Sequence, residues 1–406
     1  MTAGTPPTAP TKAPSFPGLD TIRAVAAIWV VVTHVAFWTG SYGSGLLGAL
    51  AQRLEAGVAV FFVLSGFLLS YPWLRQLRIG STRDSVGRYA LKRVLRILPV
   101  YWVAVVAALV LVPQNDDTSL PRAVDAFLMI DMYRDGLLLE GLTQMWSLAT
   151  EVAFYVSLPV LMALLVGAVA RGRWRPVRML AALAGVAVGS LVWVAVAADF
   201  LTSWGGWVNQ ALPGYLGWFA IGIGFAVLDV DRRNAAPGHE LALTRWCRTA
   251  ASAPWTCWIV AGALLFVAST PLLGPVLLVE RTPTQLVCRA ILFGLVAAIV
   301  VLPSIFGRPS TTYARVLANP FLRHLGHISY SLFCCHVIVI AVLFDRLDLT
   351  QFAENMWFVL GLVLVVSLVV SELLYRVVEL PCMRLKDLGR RRPTAATAET
   401  PASARS

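Results

Sequence analysis

An arginine and a histidine stand eleven residues apart in the apolar stretch TIRAVAAIWVVVTHV, as Arg23 and His34. Eleven residues at 100° each come to three turns and about 20°, so on a helix both side chains share one face, roughly 16 Å apart along the axis. A guanidinium at a helix end can simply snorkel to the interface, and a histidine can simply bridge two helices; a common face favours joint use. Arg93 and Arg96 lie at i, i+3 in RYALKRVLRILP. Such a pair can clamp a polyanion through guanidinium–phosphate bonds, or serve as a basic anchor. Glu151 in MWSLATEVAFY is a carboxylate inside an apolar run, and burying it demands a partner. Counting from the start of that run puts it about 8 Å below the membrane face, near the depth of His34. A carboxylate–histidine pair, able to act as a general base, is therefore expected. His336 in HISYSLFCCHVIV also falls near mid-stretch, where a structural hydrogen bond is the plainer reading. Ser65 and Gly66 in GVAVFFVLSGF are small enough to admit a close neighbour. Glu372 and Arg376, at i, i+4, read as a structural ion pair.

These residues need elements to hold them, and the composition says which. Of 406 residues 58% are hydrophobic and only 14% charged, against about 25% charged in soluble proteins. A soluble body, a disordered chain and a disulfide scaffold are excluded on these grounds. The expected fold is all-α, a polytopic membrane bundle. Bilayer-crossing stretches need roughly 17–25 residues, and ten fit: 21–40, 57–73, 97–113, 146–169, 179–198, 211–228, 255–272, 286–303, 325–344 and 356–378. The domain reading is a tail over 1–18, a membrane domain over 19–382 and a second, basic tail over 383–406. The six cysteines include no CxxC spacing, so no metal site is expected.

The net charge of +11 reads as topology rather than nucleic-acid binding. With the N-terminus inside and the helices alternating, the inside segments hold 25 Lys and Arg against 7 Asp and Glu, and the outside segments 5 against 12. Every inside loop is basic, including 74–96, 170–178 and 304–324. Both termini are thus expected in the cytoplasm, with the chain multi-pass in the plasma membrane.

The segments GLDTIRAVAAIWVVVTHV, FFVLSGF, RYALKRVLRILPVYW, MWSLATEVAFY, ISYSLFCCH and VVELP, in this order over nearly the whole chain, resemble the integral-membrane acyltransferase-3 family. The resemblance implies transfer of an acyl group, usually acetyl, from cytoplasmic acyl-CoA to a hydroxyl of an envelope carbohydrate or a secondary metabolite. Arg23 and His34 match the family's first-helix pair, Arg93 and Arg96 its RxxR motif, and Glu151 its fourth-helix acid. His34 and Glu151 are then the catalytic candidates, and Arg23, Arg93 and Arg96 the residues that hold acyl-CoA. Ser65, Trp146, Tyr155 and His336 are candidates for supporting roles. The extra C-terminal hydrolase-like domain of many relatives is not expected here. A transporter or flippase of a lipid-linked sugar is the competing reading; it would often carry an inverted repeat, and none is evident.

Overall fold

The computed structural model describes residues 14–134, 137–199, 208, 210–236, 238–274 and 281–385. Inside a bilayer the backbone must satisfy its own hydrogen bonds, which favours helices. The described residues accordingly form helices and no strand. In chain order these are α1 (Gly18–Trp38), a short α2 (Gly45–Arg53), α3 (Gly57–Ile79), α4 (Val86–Leu111), the short α5 (Leu120–Phe127) and α6 (Asp131–Arg134), and α7 (Met145–Ala163). Then come α8 (Pro176–Asp199), α9 (Leu212–Asn234), α10 (Ala242–Ala251), α11 (Pro254–Ala268) and α12 (Pro283–Phe306). The short α13 (Thr312–Leu317), α14 (Pro320–Arg346), α15 (Met356–Leu374) and α16 (Leu380–Leu385) complete the chain.

Among the described residues nine helices are long and apolar enough to cross a membrane, and they match nine of the ten expected stretches. The remaining stretch, 255–272, falls on α11, which has 15 residues. At 1.5 Å per residue that is about 22 Å, short of a hydrocarbon core of about 30 Å. Pro254 opens α11 at a sharp break, where α10 meets it at 92°. The expected tails lie mostly outside the described residues. Where they are described, Phe16 packs edge-to-face on Phe67 at 5.0 Å, and 383–385 belong to α16.

Four helices set the frame of the interior. α1 lies against both α3 and α14, and α3 lies against α9. Glycine makes the closest approaches possible. A Cβ on Gly326 of α14 would lie 1.9 Å from the Asp20 carbonyl oxygen, and one on Gly57 would lie 2.5 Å from that of Ala26. Between α3 and α9 the fit is mutual: a Cβ on Gly66 would meet the Phe219 oxygen at 2.2 Å, and one on Gly222 the Val63 oxygen at 2.0 Å. Beside this seam Phe62, Phe219 and Phe154 stack in a row, with centroids 4.5 and 3.8 Å apart.

Two of the long helices begin inside the bundle. α3 starts beside Ala26, in the middle of α1. α7 follows a segment that runs along α14: Gly141 faces Ile338, and Gln144 Nε2 donates to the carbonyls of Phe333 and Cys334 at 3.3 and 3.4 Å. From there α7 descends toward the basic end, the end of the bundle that carries segments 74–96, 170–178 and 304–324.

The α3–α9 seam yields a contrast between neighbouring glycines. Gly222→Ala drives a methyl into the α3 backbone, while at Gly224 the nearest foreign atom to a Cβ is Leu180 Cδ2 at an ordinary 3.7 Å. Gly222→Ala is expected to lower the thermal midpoint in detergent. Gly224→Ala should leave it unchanged or raise it slightly, since alanine is the better helix former by up to about 1 kcal/mol. Equal midpoints for the two variants would contradict the close seam.

Candidate active site

A cavity of about 710 Å³ opens between α1, α3, α4, α7 and α14, within the range of about 300–1,000 Å³ usual for small-molecule sites. It reaches from Pro14, Asp20, Ala318 and Arg323 at the basic end to Val58, Phe61 and Leu148 in the middle of the bundle. Its basic part carries Arg23 from α1 and Arg93 and Arg96 from α4. Arg23, Arg93 and Arg96 thus share this end, whereas His34, the other member of the R-x10-H pair, does not line the cavity. None of these three guanidiniums has an ion-pair partner among the described residues. Arg93 lies 5.9 Å from the Tyr155 ring centroid, and its buried Nε makes no hydrogen bond. The deep part is apolar, with Val58, Phe61, Phe62, Ile97, Leu148 and Phe333.

Glu151 stands on the cavity wall between these two parts. Its Oε1 accepts from Ser65 of α3 and, at 2.5 Å, from Tyr155, one helical turn further along α7. Two hydroxyl donors thus meet the half-buried carboxylate's need for partners. The other carboxylate on the wall, Asp20, sits at the mouth, 3.4 Å from Arg323 and 3.6 Å from His327.

The expected pairing of Glu151 with His34 is not formed. His34 Nδ1 lies 2.7 Å from the Val30 carbonyl oxygen and 3.3 Å from His336 Nε2; among the described residues His34 Nε2 has no hydrogen-bond partner. The depth count failed because α7 does not start at a membrane face. It starts level with Phe333 and Cys334 of α14. Glu151 lies seven residues, about 10 Å, from that level toward the basic end, and His336 about 4 Å the other way. The two histidines also lie off the cavity wall. The rings of Phe61 and Phe333, 6.4 Å apart, close the deep end, and the Phe333 ring is 6.0 Å from that of His336.

The supporting candidates divide accordingly. Ser65 and Tyr155 line the cavity and hold Glu151, whereas His336 is wholly buried beside His34. Trp146 does not line the cavity; its ring packs on Tyr215 at 5.4 Å. Glu372 pairs with Arg376 as its spacing suggests, and also with His324 at 2.7 Å. Sequence reading passed over two residues. Tyr330 lines the cavity and donates to the Ile97 carbonyl at 2.8 Å. Glu379, in the VVELP segment, is 1% exposed and accepts from Ser331 at 2.9 Å, with Oε1 unpartnered. Both fall in quoted motifs, which was the available signal. Among the described residues no cluster of three His, Cys, Asp or Glu could hold a metal.

The model of a family described as an acyltransferase domain, acyltransferase-3, matches residues 16–376. The chain belongs to the acyltransferase-3 family. It is 27% identical to acyltransferase MdmB of Streptomyces mycarofaciens, over 97% of each chain. It is 23% identical to the peptidoglycan O-acetyltransferase OatA of Listeria monocytogenes, over 90% of this chain and 55% of that one. No solved structure matches it. Family membership decides against the transport reading: this acyltransferase-3 protein is a multi-pass membrane O-acyltransferase.

Glu151 offers a test of the cavity wall. Glu151→Gln keeps an acceptor for Ser65 and Tyr155, while Glu151→Leu leaves the two hydroxyls only one another. The Leu variant is expected to be less stable by about 1 kcal/mol, the net worth of a lost hydrogen bond. Thermal unfolding in detergent reads this; a Leu variant as stable as the Gln variant would contradict the arrangement.

Proposed function

We propose that the protein moves an acyl group, acetyl first among them, from acyl-CoA to a hydroxyl of an envelope carbohydrate or a secondary metabolite. The observation that carries this reading is the set of three guanidiniums, Arg23, Arg93 and Arg96, turned without ion-pair partners into one cavity. Acyl-CoA is a polyanion with a long, thin arm. Its phosphates suit Arg93 and Arg96, and the apolar deep end suits the arm and the acyl group. The relative named as a peptidoglycan O-acetyltransferase supports a carbohydrate hydroxyl as acceptor. The basic end is then cytoplasmic, both termini lie on the cytoplasmic side of the plasma membrane, and residues 19–382 form the acyltransferase unit between two tails.

In this reading His34 Nε2 is the base. It takes the proton of the acceptor hydroxyl as the hydroxyl oxygen bonds to the thioester carbonyl carbon. The C–S bond then breaks, and the thiolate leaves with the proton returned from Nε2. Transfer through an acyl-histidine uses the same lone pair: Nε2 bonds to the acyl carbon as the C–S bond breaks, and the acceptor oxygen then displaces Nε2 from that carbon while the departing thiolate takes the hydroxyl proton. Arg23 binds the donor on the wall below. Glu151, held by Ser65 and Tyr155, sets the charge and shape of that wall rather than the tautomer of His34. The thioester meets His34 only when the rings of Phe61 and Phe333 part.

Two measurements test the reading. Arg93→Ala and Arg96→Ala should raise KM for acetyl-CoA more than they lower kcat, with partial recovery by Lys, which lacks the bidentate fork. Unchanged donor kinetics in both alanine variants would remove the clamp. His34→Ala should cost about 10²–10⁴-fold in turnover. Mass spectrometry of envelope glycans and secreted metabolites, with and without the gene, identifies the acceptor.

A further inference from the structure

The two histidines fix one another's protons. His336 Nδ1 lies 3.1 Å from the Leu332 carbonyl oxygen and 2.9 Å from that of Phe333. Carbonyl oxygens only accept, so Nδ1 carries the hydrogen and Nε2 of the neutral ring presents its lone pair. That lone pair faces His34 Nδ1 at 3.3 Å. His34 Nδ1 is itself 2.7 Å from the Val30 oxygen and must also carry a hydrogen. Its N–H is shared between the Val30 carbonyl and His336 Nε2, a three-centre bond. One assignment satisfies all four contacts, and it leaves the lone pair of His34 on Nε2.

The rings meet edge-on, with centroids 5.0 Å apart and planes at 69°. His336 is fully buried, whereas His34 is only half-buried. The buried ring is thus the fixed member and the accessible ring the one able to react. A group that accepts the Nδ1 hydrogen of a basic imidazole holds its tautomer and orientation, and steadies the cation formed when Nε2 takes a proton.

We propose that His336 is the positioning partner of His34: a neutral imidazole, not a carboxylate, accepts the Nδ1 hydrogen and so keeps the reactive lone pair on Nε2. This rests on the reading of His34 as the base. The step moves one proton, from the acceptor hydroxyl to His34 Nε2 and on to the leaving thiolate; His336 Nε2 gains none and only accepts the shared bond.

The test is acetyl transfer from radiolabelled acetyl-CoA in membranes bearing each variant, normalised to inserted protein. His336→Leu removes the acceptor and should lower kcat about 10- to 100-fold while KM for acetyl-CoA stays within about twofold, because His336 does not line the donor cavity. His336→Gln restores an acceptor near the same place and should recover a large part of the loss. A packing role would predict the reverse order, since leucine suits a buried apolar site better than glutamine does. Should the Leu variant fail to insert, His336→Met supplies a second side chain without a nitrogen acceptor. Wild-type turnover in the variants lacking an acceptor, or a Gln variant as slow as they are, overturns the proposal. His34→Ala separates the two readings. If it is inactive while the acceptor-less variants at 336 are fully active, only the pairing falls. If it turns over at the wild-type rate, the base itself falls.

Discussion

A guanidinium in a membrane interior is costly unless something answers its charge. Arg23, Arg93 and Arg96 gather three such charges around one cavity without a salt bridge among them. Much of the surrounding structure serves that arrangement. The glycine contacts of α1 with α3 and α14 bring Arg23 to the wall, Tyr155 lies beside Arg93, and Glu151 is kept close by two hydroxyls. Elsewhere in the bundle Arg289 holds Glu55 through two hydrogen bonds, and Asp229 takes both Arg232 and Arg233. The three cavity arginines differ from these in lining one cavity with no ion-pair partner among the described residues.

The bundle divides its chemistry by depth. The charged half of the cavity belongs to the basic end, the apolar half to the middle, and the two histidines lie beyond a pair of phenylalanine rings. Binding a soluble polyanion and activating a hydroxyl are opposed demands. The first needs open access and positive charge; the second needs a lone pair shielded from stray protons. In the proposed reading, separate depths in the bundle meet both demands, with Arg23, Arg93 and Arg96 at one level and the histidines of α1 and α14 at another.

Much of this was legible from residue spacing. The apolar stretches located nine spans, and the helical arithmetic of Arg93 with Arg96 put both on one wall. Glu151 and Tyr155 stand at an i, i+4 spacing that the sequence reading did not use, and Ser65 read as a packing residue and a supporting candidate without a link to Glu151. What could not be read was axial offset. A hydropathy stretch gives a length, and length alone assumes that each helix begins at a membrane face. The folds of the chain before α3 and α7 break that assumption, and with it the match in depth between Glu151 and His34. The meeting of His34 and His336 joins residues 302 positions apart, and no local pattern encodes it.

The contact of Gly66 and Gly222 has a consequence for how such an enzyme diversifies. With a backbone oxygen about 2 Å from where each Cβ would stand, neither glycine can be exchanged without moving α3 against α9. The α3 side of the cavity is therefore the part least free to change by substitution at this seam. If the acyl chain lies at the deep end, as proposed, a longer or shorter one is accommodated by exchanging side chains there, at Phe61, Leu148 or Phe333, without disturbing this pair of helices.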